Sequence, residues 1–307
     1  MRLFAFAIIA LAGLPAAAQQ QDFSAVKIET AKVADNVYML TGSGGNIGVS
    51  VGDDGVVVID DQFAPLTPKI TAAIRALSDK PLRFVLNTHW HFDHTGGNEN
   101  LGNAGAVIVA HDNVYKRMSA EGIINLLKMK LPPAPKAALP VITFSDNVSF
   151  HINGDTIVAH RIPPAHTDGD AFVRFTRANV IHTGDVFASG RYPFIDVENS
   201  GSVKGIVAAM DRLIPTLDDN TVVIPGHGPL SRKSDVIAYR RMINTVATRV
   251  EAMVKAGRTM EQVVAAKPLK EFDAEWGKFR KTDSFVEIVY TGFALQRKGG
   301  ARPPAAK

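Results

Sequence analysis

The chain has 307 residues, with 34 Lys and Arg against 30 Asp and Glu, a formal net charge of +4. At 46% hydrophobic and 21% charged it can bury a sizeable core, which argues against a disordered chain. Lys and Arg are scattered, with no basic stripe interleaved with stacking aromatics, which argues against nucleic acid as a partner; the lack of cysteine excludes disulfides and thiolate metal ligands.

The first 18 residues read as a leader rather than as fold. Arg2 supplies a positive start, Leu3 to Leu14 an apolar stretch, and Pro15-Ala-Ala-Ala18 a small-residue cleavage site. The stretch is short for a membrane span, and no later segment approaches about 20 apolar residues. The expectation is a signal peptide at 1–18 and export, to the periplasm, without stable membrane insertion. Residues 19–296 would form one catalytic domain, and 297–307 a disordered tail.

From Ala25 to about Asp61 the chain reads as β-structure, with β-branched runs such as Val56-Val-Val-Ile split by glycine-rich turns. Pro65 to Lys80 is helical, with Ile70, Ile74 and Leu77 on one face. A strand at Leu82 follows, then a buried strand at Ala106–Ala110. His111 to about Lys130 reads as largely helical and ends at the Pro132-Pro-Ala-Pro135 exit. The 121–139 segment is either a flap or a plain surface insertion. Strands are expected at 148–152, 156–162, 171–175, 179–183 and 221–224. Helices are expected from Ser202 to Ile214 and from Asp235 to Ala256, the latter closed by Gly257, with a further helix from about Met260. Strands followed by helix, twice over, predict an α/β fold of two similar halves, their sheets face to face and helices outside.

His89-Trp-His91-Phe-Asp93-His94 is the most informative stretch. A strand delivers it and Gly96-Gly97 ends it. Residues two apart on an extended backbone point to one side, so His89 and His91 share a direction. Asp93 and His94 follow as the chain turns and can face a second ion. So many ionisable groups are costly to bury without metal. Three more candidates follow later strands in glycine-containing turns: His166 in Pro-Ala-His-Thr-Asp-Gly-Asp, Asp185 in His-Thr-Gly-Asp, and His227 in Pro-Gly-His-Gly-Pro. In α/β folds, functional residues collect at such strand ends. Five imidazoles favour zinc or another first-row metal over Mg²⁺ or Ca²⁺.

His-x-His-x-Asp-His, followed by His166, Asp185 and His227 in these contexts, resembles the metallo-β-lactamase-fold hydrolases over about Asn36 to Ala256. The resemblance implies an αββα sandwich with metals in a shallow groove at one edge. It implies that His89, His91 and His166 hold one ion, that Asp93, His94 and His227 hold another, and that Asp185 bridges them. The implied ions are two Zn²⁺, with iron or manganese as alternatives. Asp60, ending the Val56 strand, matches the family's aspartate that orients a ligand histidine through its free N–H; Asp61 is the weaker candidate. Two such ions can share a water and lower its pKa toward neutrality for attack on a carbonyl, with Asp93 orienting it. No serine lies in a nucleophile-elbow pattern.

The implied substrate is a small molecule. Family members that cleave β-lactams carry cysteine or serine where this chain has Asp185, with a carboxylate-binding lysine three residues later, where this chain has Ala188. The Thr-Gly-Asp form is closer to lactonases, thioesterases and glyoxalase-II-like members. Lactone, ester or thioester cleavage is therefore expected first. A β-lactamase, an iron-dependent oxygen or sulfur chemistry, and a non-catalytic metal-binding protein are the alternatives. Trp90, Phe92, Phe187, Tyr192 and Phe194 can line an apolar groove, with core packing an equal reading for Phe187 and Phe194. Arg191 can take an anionic group or serve as a surface ion-pair partner.

Overall fold

A computed structural model describes residues 22–124 and 129–297. The leader expected at 1–18 and residues 298–307 of the expected tail lie outside the described residues.

The first half builds a sheet. Strands β1 (Glu29–Lys32), β2 (Val37–Thr41), β3 (Ile47–Gly52) and β4 (Gly55–Ile59) pair antiparallel in succession. Helix α1 (Thr67–Arg75) crosses to β5 (Leu82–Leu86), which runs parallel to β4. The short helices α2 (Phe92–Thr95) and α3 (Asn98–Asn103) lead to β6 (Val107–His111). Helix α4 (Asp112–Met118) and a small hairpin, β7 (Gly122–Ile124) with β8 (Met129–Leu131), precede β9 (Ile142–Phe144). The strand order in space is β1-β2-β3-β4-β5-β6-β9.

The second half is a meander, β10 (Asn147–Ile152), β11 (Asp155–Arg161), β12 (Ala171–Phe175) and β13 (Val180–His182). Helix α5 (Val203–Leu213) crosses to β14 (Val222–Ile224), which lies parallel to β13. Helices α6 (Lys233–Lys255), α7 (Met260–Ala265), α8 (Asp273–Trp276) and α9 (Thr282–Arg297) follow. Ser202 caps α5 through Gly205 N–H, and Gly257, at φ 77°, takes the left-handed turn that ends α6.

The two sheets meet across a buried cluster that includes Val57, Ile59, Leu86 and Val109 from one and Ile157, Val173, Phe175 and Ile224 from the other. The intervening residues of β4, Val56 and Val58, join Leu66, Ile70 and Ile74 on the α1 side. Strand β4 is thus apolar on both faces, which is why its sequence is a run of valines rather than an alternation. Outside the second sheet, Phe172, Ile181 and Val223 join Met210, Tyr239 and Ile243. The protein is an αββα sandwich. Parallel pairs β4–β5 and β13–β14 bring strand C-termini, and the turns after them, to one edge.

One local expectation needs correction, and two elements were not foreseen. The helix from His111 stops at Met118, and the segment read as its continuation forms the β7–β8 hairpin. Gly122 followed by two isoleucines disfavours helix, and Ile124 gains burial against Val114 and Met118 as a strand. Strand β9 and helix α9 were not predicted. Helix α9 is amphipathic, burying Phe285, Val286, Ile288, Val289 and Phe293, and it extends through Arg297, whose guanidinium donates to Val254 O. Among the described residues no helix is long and apolar enough to cross a membrane.

Candidate metal centre

Each candidate donor sits on a turn that follows a strand. After β5, the chain passes through Thr88, His89 and His91 into α2, whose single turn carries Asp93 and His94. His166 lies in the β11–β12 loop, which Asp170 holds by accepting from His166 N–H (2.7 Å), Thr167 N–H and the Thr167 hydroxyl. Asp185 follows β13 and His227 follows β14.

The donors converge in three overlapping groups, one of which, His89, His94 and Asp185, links the other two. Nitrogen atoms of His89, His91 and His166 lie within 4.8 Å of one another, as do the donor atoms of Asp93, His94 and His227. Asp185 stands between them. Its Oδ1 is 3.2 Å from His94 Nε2, and its Oδ2 is 3.3 Å from His227 Nε2 and 3.7 Å from His166 Nε2. The turns around the site need glycine. A Cβ on Gly226 would strike the Asp185 carboxylate, and one on Gly45 would overlap the His94 ring.

The unused nitrogens of four rings are engaged, which fixes the atoms that face inward. His94 Nδ1 meets Asp60 Oδ2 at 2.7 Å, His91 Nε2 meets Asp196 Oδ2 at 3.0 Å, His166 Nδ1 donates to Phe194 O at 2.9 Å, and His89 Nδ1 lies 3.1 Å from Thr88 Oγ1. Asp60, in the left-handed region at φ 63°, also accepts from Thr88 N–H and the Thr88 hydroxyl. Asp61 instead accepts from Gly97 N–H and faces no histidine ring within hydrogen-bond reach.

These donors fit metal. His89 Nε2 is buried with no hydrogen-bond partner, a costly arrangement unless something else binds it. Nitrogen and oxygen donors without sulfur suit zinc and its first-row neighbours. The electrostatics agree. Burial alone would lower His94 and His227, but Asp185 and its neighbouring carboxylates outweigh it, holding His94 well above its ordinary value and His227 at about 9. Asp185 is held well below the usual carboxylate range because His227 and His94 outweigh its burial. The site's acidic charge thus recruits protons where it could recruit a cation. His166, by contrast, is lowered to about 4 by burial and then by His91, so it presents a bare nitrogen.

Asp196 was not singled out in the sequence. It lies 105 residues from His91, and its only local cue is that it caps the turn ending at Asn199, whose side chain donates to both its oxygens. Carboxylates that orient a ligand histidine are worth about 10–100-fold in metal affinity. Asp196→Asn should therefore weaken metal binding by about that factor, as measured by competition with a chromogenic chelator. Unchanged affinity would assign Asp196 to the loop alone. His182 is buried with both ring nitrogens occupied, by Asn46 O and Gly184 N–H, and does not face the donors.

A groove of about 820 Å³ opens over Asp93, Asp185 and His227. Phe63, Phe92, Arg191, Phe194 and Phe279 are among its lining residues. Trp90, expected in the groove, is 4% exposed and packs instead with Val114, Met118 and Ile124. The reason is local: it alternates with His89 and His91, so it points away from the face they share. Phe187 is core, edge-on to Tyr239. Tyr192 touches the groove, but its ring stacks on Phe285 and its hydroxyl donates to Asp273.

The family model for the metallo-beta-lactamase superfamily matches residues 40–227, a span that contains every donor described above. The chain belongs to this superfamily. Within it, the chain is similar to a probable hydroxyacylglutathione hydrolase, glo2, of Schizosaccharomyces pombe, at 28% identity over 48% of each chain. It is also similar to the hydroxyacylglutathione hydrolase of Polaromonas sp., at 25% identity over 59% of this chain and 65% of that one. The chain spans about half the length of the first of these relatives. Among solved structures, the metallo-beta-lactamase from Pontibacter korlensis matches with a TM-score of 0.58 and 19% identity, over 71% of this chain and 99% of that one. The stereoselective inverting sec-alkylsulfatase Pisa1 from Pseudomonas sp. matches with a TM-score of 0.65 and 17% identity, over 90% and 51%. At these identities the structural likeness concerns the superfamily fold alone.

Proposed function

We propose that the protein is a metal-dependent hydrolase that cleaves an acyl bond, a thioester, lactone or ester in preference to a β-lactam. The observation that carries this reading is an aspartate, Asp185, standing where the two donor groups meet. The named activity of the similar curated chains, hydrolysis of a glutathione thioester, supports it. His89, His91 and His166 would hold one ion and Asp93, His94 and His227 the other, with Asp185 shared. When bound, two divalent ions, zinc by preference, would lower the pKa of a shared water and polarise the acyl carbonyl.

The residues then divide the work. Asp60 and Asp196 hold His94 and His91 in register. Asp93, held at about 2 because His94 and His227 outweigh its burial, is ionised at neutral pH and partly open to the groove, where its carboxylate can accept a hydrogen bond from the attacking water and orient it. The bond from acyl carbon to sulfur or oxygen breaks as the new carbon–oxygen bond forms, and the proton that the water sheds balances the departing anion. Phe63 and Phe92 offer apolar surface to the acyl chain. The leader-like pattern of residues 1–18, Arg2 followed by an apolar run and a small-residue cleavage site, supports export to the periplasm as the place of action.

A substrate panel tests the reading: an S-acyl thioester, a γ-lactone, an aryl ester and a cephalosporin, each assayed with zinc-loaded protein. At least one of the first three should exceed the cephalosporin in kcat/KM by about tenfold or more, a difference of about 1.4 kcal/mol in the barrier. Cephalosporin turnover above about 10⁵ M⁻¹s⁻¹, well inside the ordinary enzyme range, would reverse the ranking.

A further inference from the structure

From Arg117, on the last turn of α4, two hydrogen-bond chains lead toward histidines of the same donor group. Along the first, Arg117 Nη1 donates to Asn199 Oδ1 at 2.8 Å, and Asn199 Nδ2 donates to both oxygens of Asp196 at 2.9 Å. Asp196 Oδ2 in turn lies 3.0 Å from His91 Nε2. Along the second, Arg117 Nε and Nη2 grip the Asp168 carboxylate at 3.3 and 2.7 Å. Asp168 belongs to the β11–β12 loop that carries His166, and Asn113 Nδ2 ties the same loop to α4 again by donating to Asp168 O at 2.9 Å. The two chains close on each other, since His91 Nδ1 and His166 Nε2 face at 2.9 Å. The chemistry of Asn199 gives the first chain a direction. A guanidinium has only donors and an ionised carboxylate only acceptors. Asn199 stands between one of each, so its amide oxygen faces Arg117 and its amide nitrogen faces Asp196. Turned over, it would set oxygen against carboxylate and N–H₂ against guanidinium. Asn199 and Asp196 are both buried, so a partner lost there leaves a costly unpaired group.

We propose that Arg117 is a positioning residue that sets two ligands of one metal ion together, His91 through Asn199 and Asp196, and His166 through Asp168. The inference rests on the reading that His89, His91 and His166 share an ion. Arg117 fixes Asn199, Asn199 fixes the Asp196 carboxylate, and that carboxylate decides which His91 nitrogen is left for metal. Its other arm holds the His166 loop against α4 through a two-point grip on one carboxylate. The planar fork meets both partners at once, a geometry that a lysine ammonium does not match. Neither chain ends on Asp93, His94 or His227, so the effect of Arg117 falls on one ion and spares the other.

The test is a zinc titration of chelator-stripped full-length protein against a chromogenic chelator, which resolves the stepwise affinities without any assay of turnover. His166→Ala and His227→Ala mark which step belongs to which ion. In Arg117→Met the step lost in His166→Ala should weaken by about tenfold, while the step lost in His227→Ala should stay within about twofold. Arg117→Lys should recover only part of the loss. Lys204→Met, which removes a surface cation paired with Glu251, should leave both steps unchanged. The Tm of each stripped variant separates positioning from folding. Where Arg117→Met lowers it, Asn199→Ala, which leaves the Arg117–Asp168 pair in place, carries the same one-sided expectation. Two affinities that survive these substitutions, or that fall together, overturn the inference and leave the two-ion reading standing. Uptake of fewer than two ions by the wild-type protein overturns both.

Discussion

Asp185→Asn is expected to lower turnover by at least about 10²-fold and to weaken one of two metal sites, because an amide cannot supply the negative charge that two adjacent cations need between them. Among the described residues Asp185 has its carboxylate within 4 Å of His94, His227 and His166 together. An asparagine in the same rotamer would aim either its oxygen or its N–H₂ at each neighbour, and an N–H₂ next to a ligand nitrogen repels a metal there. His182→Ala is the matched control. It lies three residues earlier, its nitrogens are taken up by Asn46 and Gly184, and its loss should affect stability rather than metal content. Metal content and kcat measured on both variants decide the matter. Equal losses through lost metal would move the bridging role away from Asp185.

Removing metal with a chelator is expected to abolish activity, and rebinding is expected to release protons. In the metal-free protein the carboxylates hold His94 well above its ordinary value and His227 at about 9. His227 is therefore protonated at pH 7, whereas a metal ion requires a bare nitrogen. The sign follows. Protons and metal compete, so metal affinity rises with pH, by about tenfold per unit for each proton released, until the pH passes about 9, where His227 is already bare. Calorimetric zinc titrations at pH 7 in two buffers of different ionisation enthalpy report the proton count. Release of at least one proton per chain is expected, and none at all would mean that these histidines are not the ligands.

The donors were legible because each lies in a short pattern. His89 and His91 alternate on an extended segment, Asp93 and His94 follow within one turn, and His166, Asp185 and His227 each follow a strand in a glycine turn. The sheets were legible for the same reason, since β-branched runs bounded by Gly and Asp carry their own signal. What the sequence hides is contact between distant segments. Nothing near Asp196 points to His91, because the pairing exists only once the loop after β13 folds back over α2. Arg280 sits in an unremarkable Lys-Phe-Arg-Lys stretch, and its place on the groove depends on α8 and α9 packing beside α6. The β7–β8 hairpin was misread because Met and Leu near Lys130 suit helix in isolation. The burial available to Ile124 beside Trp90 decided otherwise, and the same cluster draws Trp90 away from the groove.

The most direct test of a two-ion acyl hydrolase is a zinc titration of chelator-stripped protein, with thioester hydrolysis followed at each addition. Seven donors in two groups joined by Asp185 predict that activity climbs until about two equivalents are bound, and that elemental analysis of the fully active protein finds two ions per chain, since a single tetrahedral site uses only four ligands. Full activity at one equivalent with no second ion taken up, or two bound ions with no acyl bond cleaved, would contradict the account.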